Sequence, residues 1–226
     1  MAATTDVGRF AGFPPEALDL YARLELDNTK AFWQANKAVY DESVKAPLLA
    51  LTAELADEFG PFHLFRPHRD VRFSKDKSPY KTHQGAVTEG EGGEAYYLHL
   101  DAHGMFVASG YYRMAKDQLE RYRTAVDDDV TGPDLQDRVA TVGRRHEIGG
   151  EALKMAPRGS PRDHPRIELL RHKGLIASRA LGAPGWLSTR RAVSEVAKVW
   201  RAAAPINEWL AAHVGPSTEL PDELAR

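Results

Sequence analysis

The feature that most constrains this fold is a change of hydrophobic period along the chain. Up to Gly60 the apolar residues recur three and four apart, the spacing of one helix face. From Ala95 the run A-Y-Y-L-H-L-D-A-H-G-M-F-V-A-S-G-Y-Y alternates instead, and a period of two belongs to strands. A tight turn over Ala102 to Gly104 makes this run a hairpin. Tyr96, Leu98 and Leu100 then lie on one face, and Tyr97, His99 and Asp101 on the other. Helices first, strands next and a mixed remainder predict an α+β protein, a mainly antiparallel sheet with helices packed on it. Residues 1–215 are expected to form a single domain, and P-S-T-E-L-P-D-E-L-A-R a frayed tail.

Punctuation along the chain supports this. Pro14 and Pro15 suit a helix start, where a missing N–H costs nothing. Asp27-Asn28-Thr29 stops that helix and caps a second from Lys30 to Tyr40; a third runs from Ser43 to Phe59 and ends at Gly60-Pro61. Val71 and Phe73 have strand character, and Ser78-Pro79 marks a turn or extended segment. Helical spacing returns at Ala115 to Val126, at Asp134 to Val142 and from His164-Pro165 to Leu170. A strand over G-L-I-A-S-R-A-L comes next, then a long helix capped by Ser188 and kinked at Pro205. The four tryptophans read as core. E-G-E-G-G and G-R-R-H-E-I-G-G read as loops, since neither has the residues of a phosphate or dinucleotide fingerprint.

A chain of 226 residues can bury a substantial core. It contains no cysteine, which excludes disulfides, thiolate nucleophiles and iron–sulfur ligation. The first residues show no secretory leader and no apolar run reaches the ~20 residues of a membrane span. A cytoplasmic protein without a membrane partner is expected. No motif specifies a cofactor.

Charge is segregated. Between Arg66 and His83 six basic residues face two acidic ones, and between Lys154 and Lys173 the same imbalance recurs, so each segment carries +4. With a formal charge of -2 overall, the remainder carries -10. The first segment contains R-D-V-R-F-S-K-D-K-S-P-Y-K-T-H. Arginine offers a planar fork to phosphate or carboxylate oxygens and lysine a mobile point charge, so such a cluster suits an anion. Asp70 could orient Arg72 or Arg69, or act as a general base or metal ligand; Tyr80 adds a phenol, and His83 a group that titrates near neutrality. The plainer alternative is a solvated basic face or a partner for the acidic helices. His99-Leu-Asp101-Ala-His103 has ligand-type residues two apart, but a structural hairpin explains it more simply.

The same stretch resembles the signature of the domain of unknown function 2461 family. F-A-G-F-P-P-E-A-L, N-T-K-A-F-W-Q-A-N-K-A-V-Y, Y-Y-L-H-L, L-K-M-A-P-R-G and D-H-P-R-I-E-L-L-R-H-K-G extend that resemblance in order over nearly the whole chain. It implies no activity but draws attention to both basic segments. The resulting expectation is an anionic small molecule, with phosphorylated ones among the candidates, held between them. Arg69, Arg72, Lys75, Lys77, Lys81, Lys154 and Arg158 are its candidate ligands. Asp70, Tyr80, His83 and His164 are candidates for proton transfer if the protein is an enzyme, and Asp70 for Mg²⁺ if phosphate is the substrate. The alternative is a non-catalytic module in which these charges meet nucleic acid or an acidic protein. A sequence pI near 6.5 places nucleic acid second.

Overall fold

Thr29 shows how local chemistry sets the first elements of the computed structural model, which describes residues 8–219 apart from 71, 73–75, 89 and 91–92. Helix α1 (Glu16–Leu26) begins after the two prolines and buries Ala17, Leu20, Tyr21 and Leu24. The Thr29 hydroxyl then accepts the Phe32 N–H at 3.2 Å and caps α2 (Lys30–Val39). No break separates α2 from the next helix. A π-helical segment, Tyr40–Lys45, carries α2 directly into α3 (Ala46–Phe59). Its wider turn keeps Tyr40 and Val44, four residues apart, on one buried side. Gly60 ends α3 at a φ of 87°, a region where a Cβ would be strained.

Six strands form an antiparallel sheet: β1 (Phe62–Leu64), β2 (His83–Thr88), β3 (Ala95–Asp101), β4 (Gly104–Tyr111), β5 (Glu147–Gly149) and β6 (Leu175–Gly182). Their order is β1-β2-β3-β4-β6-β5. The hairpin turns between β3 and β4 where alternation placed it. The short outer strands, β1 and β5, limit the exposed ladder at the sheet's edges. β5 falls inside G-R-R-H-E-I-G-G, which sequence alone makes a loop. Val71 and Phe73, given strand character from sequence, lie outside the described residues.

The remaining helices are α4 (Lys116–Asp127), α5 (Thr131–Val142), α6 (Ile167–Leu170) and α7 (Arg191–His213). Ser188 does not cap α7; it ends a short 3₁₀ turn, Gly185–Ser188. The cap is Thr189, whose hydroxyl accepts the Arg191 N–H at 3.2 Å. Pro205 sits within α7, which continues past it to His213. No helix among the described residues is long and apolar enough to cross a membrane.

The chain divides into two compact units. The first takes the described residues of 1–88, 97–107 and 180–198, and the second those of 89–96, 108–179 and 199–226. In the second, Tyr111, Tyr122, Val126, Leu135, Leu175, Ile206, Trp209 and Leu210 belong to one buried cluster. Its polar aromatic atoms find backbone partners: Tyr122 Oη donates to the Leu169 carbonyl at 2.9 Å, and Trp209 Nε1 to that of Thr131 at 3.0 Å. Trp33, Trp200 and Trp209 are buried, whereas Trp186 is only partly so. Of the expected tail, Ser217 and Thr218 are tied to the Asp117 carboxylate at 2.8 Å each; residues from 220 lie outside the described chain. In the first unit the buried set includes Phe10, Leu20, Leu24, Leu48, Leu51 and Leu55.

Candidate functional site: a cationic cleft

Tyr40 is fixed by the π segment, and its hydroxyl donates to Gln84 Oε1 at 2.7 Å in a buried bond. The same amide donates from Nε2 to the carbonyls of Phe65 at 2.6 Å and Gly85 at 3.0 Å. One buried glutamine therefore ties the helical wall to β2 and to the segment leaving β1. A second clamp lies nearby. Asn28 donates to the Tyr80 carbonyl at 3.0 Å and accepts the Tyr80 N–H at 3.1 Å. That sets the Tyr80 ring against Trp33, stacked at 4.4 Å and 14°. Residues 67–69 and 79–81 run beside each other, with Lys81 N–H donating to Pro67 at 2.8 Å and Arg69 N–H to Pro79 at 2.9 Å.

These constraints shape a cleft of about 670 Å³, within the range that admits small-molecule ligands. Trp33, Tyr40 and Phe65 contribute apolar surface, and Lys37, Lys45, Arg66 and Lys81 contribute charge. Among the described residues Asp41 is the single carboxylate in the lining, and it pairs with Lys37 one helical turn away. Among the described residues, no carboxylate forms an ion pair with Lys45, Arg66 or Lys81. Lys81 Nζ stands 5.1 Å from the centre of the Phe65 ring, a cation–π arrangement. Burial, and then the charges of Arg66 and Arg69, hold its pKa below the ordinary lysine range. Four cations therefore meet one carboxylate in the lining, and among the described residues only Lys37 of the four is ion-paired.

The residues nominated from sequence are distributed differently. Arg72 lays its fork on Asp70, with Nη2 at 2.7 Å and Nε at 3.1 Å. That side-chain bond, aided by the Arg72 backbone N–H, lowers the Asp70 pKa to about 2. A carboxylate so held stays ionised at neutral pH, where it is a weak proton acceptor. Arg69 pairs with Asp76, whose carboxylate also accepts the Ser78 N–H at 2.9 Å; this is the Ser-Pro turn. Tyr80 is buried. Lys77 is exposed, and Lys75 lies outside the described residues. In the second unit Lys154 and Arg158 are exposed. There His164 accepts the Arg166 N–H at 3.0 Å and lies 3.1 Å from Asp127. Among the nominated residues that the structure describes, Lys81 alone lines the cleft.

His83 lies partly buried on β2, on the sheet face where Phe65 lies over Gly85. It sits opposite Asp101, Gly85 opposite His99, and Val87 opposite Tyr97. Tyr97 Oη is 2.9 Å from His99 Nδ1, and His99 Nε2 is 3.6 Å from Asp101. The His83 and His99 rings are 4.9 Å apart, and Phe106 stacks on His99 at 4.9 Å. Gly85 leaves the space these groups use: a Cβ there would meet Tyr97 Oη at 3.0 Å and Phe65 at 3.1 Å. Burial first, and then His83, push the His99 pKa down to about 4. Burial and then Lys81 lower that of His83, against the pull of Asp101. Among the described residues, no three of His, Asp and Glu are arranged to hold a metal. Asp101 also accepts the His103 N–H at 2.7 Å, so His103 takes the turn role that the hairpin suggested.

The family model described as "Conserved hypothetical protein (DUF2461)" matches residues 16–209. The chain belongs to this family. No curated protein and no solved structure matches it.

Proposed function

We propose that the first unit binds a small anionic, phosphorylated molecule in the cationic cleft. The observation that carries this reading is the convergence of Arg66, Lys81 and Lys45 on one cleft, none of them in an ion pair with a carboxylate among the described residues. Bringing like charges together at a half-buried surface costs free energy that a bound anion recovers. Arg66 supplies the planar fork, and Lys81 and Lys45 the point charges. The apolar wall of Trp33, Tyr40 and Phe65 excludes water on one side, which strengthens those contacts. Arg69 and Arg72, already matched by Asp76 and Asp70, hold the loop in shape. Lys154 and Arg158 supply no part of this cleft's lining.

A thermal-shift screen with pyrophosphate, inorganic phosphate and sulfate tests the reading. A ligand at ten times its Kd stabilises by ~1.4 kcal/mol, a rise of roughly 3–5 °C for a chain of this size. Pyrophosphate should raise the Tm of the wild type and of Lys154→Ala/Arg158→Ala alike. Arg66→Ala and Lys81→Ala should lose most of the rise. Equal shifts in all four proteins would remove the cleft from consideration.

A further inference from the structure

We propose that His83 and His99 are the proton-binding half of the same site, so that an anion entering the cleft brings one proton onto this pair. The inference rests on the cleft being an anion site and adds a second ligand, the proton, at residues outside its lining. The geometry makes the link. Lys81 lines the cleft and extends over Phe65. Phe65 in turn lies over Gly85, whose register partner is His99. The ammonium of Lys81 therefore stands on the sheet face that carries both imidazoles, and its charge opposes protonation of His83.

The groups that face the pair come from several elements. Asp101 on β3 lies opposite His83 and 3.6 Å from His99, and favours a proton on either. Tyr97 holds His99 Nδ1 through its hydroxyl. Phe106 on β4 covers one face of His99 and offers no charge. Lys81 and Arg69 act against protonation of His83, and His83 acts against that of His99. A dianion beside Lys81 cancels the leading repulsive charge and leaves Asp101 in place. The balance then favours one imidazolium. A second is opposed by the first at a ring separation of 4.9 Å, so the uptake is one proton shared by two rings. By linkage, the anion must then bind more tightly as pH falls, by at most about tenfold per pH unit.

Sulfate is the probe, because its own charge is constant across the range. His63 and His68 also line the cleft, so a pH-dependent affinity alone would not isolate the pair. The experiment is a site-resolved NMR titration of every histidine ring between pH 8 and 4.5, with and without saturating sulfate, in a His63→Gln/His68→Gln background. Sulfate should raise the His83 or His99 midpoint by about one pH unit, and His83→Gln/His99→Gln should abolish most of the pH dependence of its Kd. Sulfate that shifts the Arg66 and Lys81 resonances but leaves both midpoints within about 0.2 unit overturns the linkage and leaves the cleft standing. Sulfate that shifts no cleft resonance overturns the anion site itself. Should His83→Gln/His99→Gln fail to fold, the His83 and His99 rings of the His63→Gln/His68→Gln protein read the same quantity directly.

Discussion

Asn28 carries structural weight out of proportion to its size. Its one amide satisfies both the N–H and the carbonyl of Tyr80 across 52 residues of chain, and so places the Tyr80 ring on Trp33. Asn28→Ala would leave two backbone groups in need of partners, at about 1–3 kcal/mol. Chemical denaturation should show a lower midpoint with an unchanged m-value. A variant as stable as the wild type would mean that water replaces the amide without loss. At this scale the sequence is informative about composition and weak about pairing. Asp70 and Asp76 stand visibly among the basic residues. Which arginine each one neutralises depends on the turn at Ser78-Pro79, a three-dimensional fact. That is why Arg69 and Arg72 read from sequence as anion ligands, whereas Arg66 and Lys45 carry the charge that no described carboxylate pairs with.

The π segment is the element that sets the helical wall of the cleft. Tyr40 reaches Gln84, and Lys37, Asp41 and Lys45 line the cleft, because the wider turn shifts the phase of the helix between α2 and α3. Deleting one residue within Tyr40–Lys45 should restore a regular α-helix that keeps α2 and α3 in nearly their present phase but re-aims the side chains of the segment itself, Tyr40, Asp41 and Lys45. Helicity by circular dichroism should be retained while anion binding is lost. Retention of binding would show that the π bulge is incidental to the cleft. Y-D-E-S-V-K has unremarkable helical content, so nothing in its composition announces the segment. The strongly amphipathic helices and the alternating hairpin were legible because each repeats its pattern over many residues. β1 and β5, at three residues each, are too short to display a period.

For the whole molecule, the partly buried histidines make stability depend on pH with a definite sign. The folded pKa of His99 is near 4 and that of His83 is also lowered, both beneath the ordinary histidine value. The unfolded chain therefore binds the protons more readily, and stability falls as pH drops from about 6.5 toward 4. His99 accounts for a loss on the order of 2–3 kcal/mol across that window. His99→Gln should flatten the urea-midpoint profile there; an unchanged slope would assign the dependence to other groups. Charge segregation at this scale was plain in the sequence, yet its two basic segments fall in different compact units. The cleft needs only the first, together with cations on helices that the segment does not contain.

Calorimetric titration of pyrophosphate at neutral pH tests the central claim most directly, comparing the wild type with Arg66→Ala/Lys81→Ala. A charge-assisted contact is worth roughly 1.5–3 kcal/mol, so losing two should weaken binding by at least about a hundredfold, with the fold intact by circular dichroism. An affinity within about threefold of the wild type would contradict it.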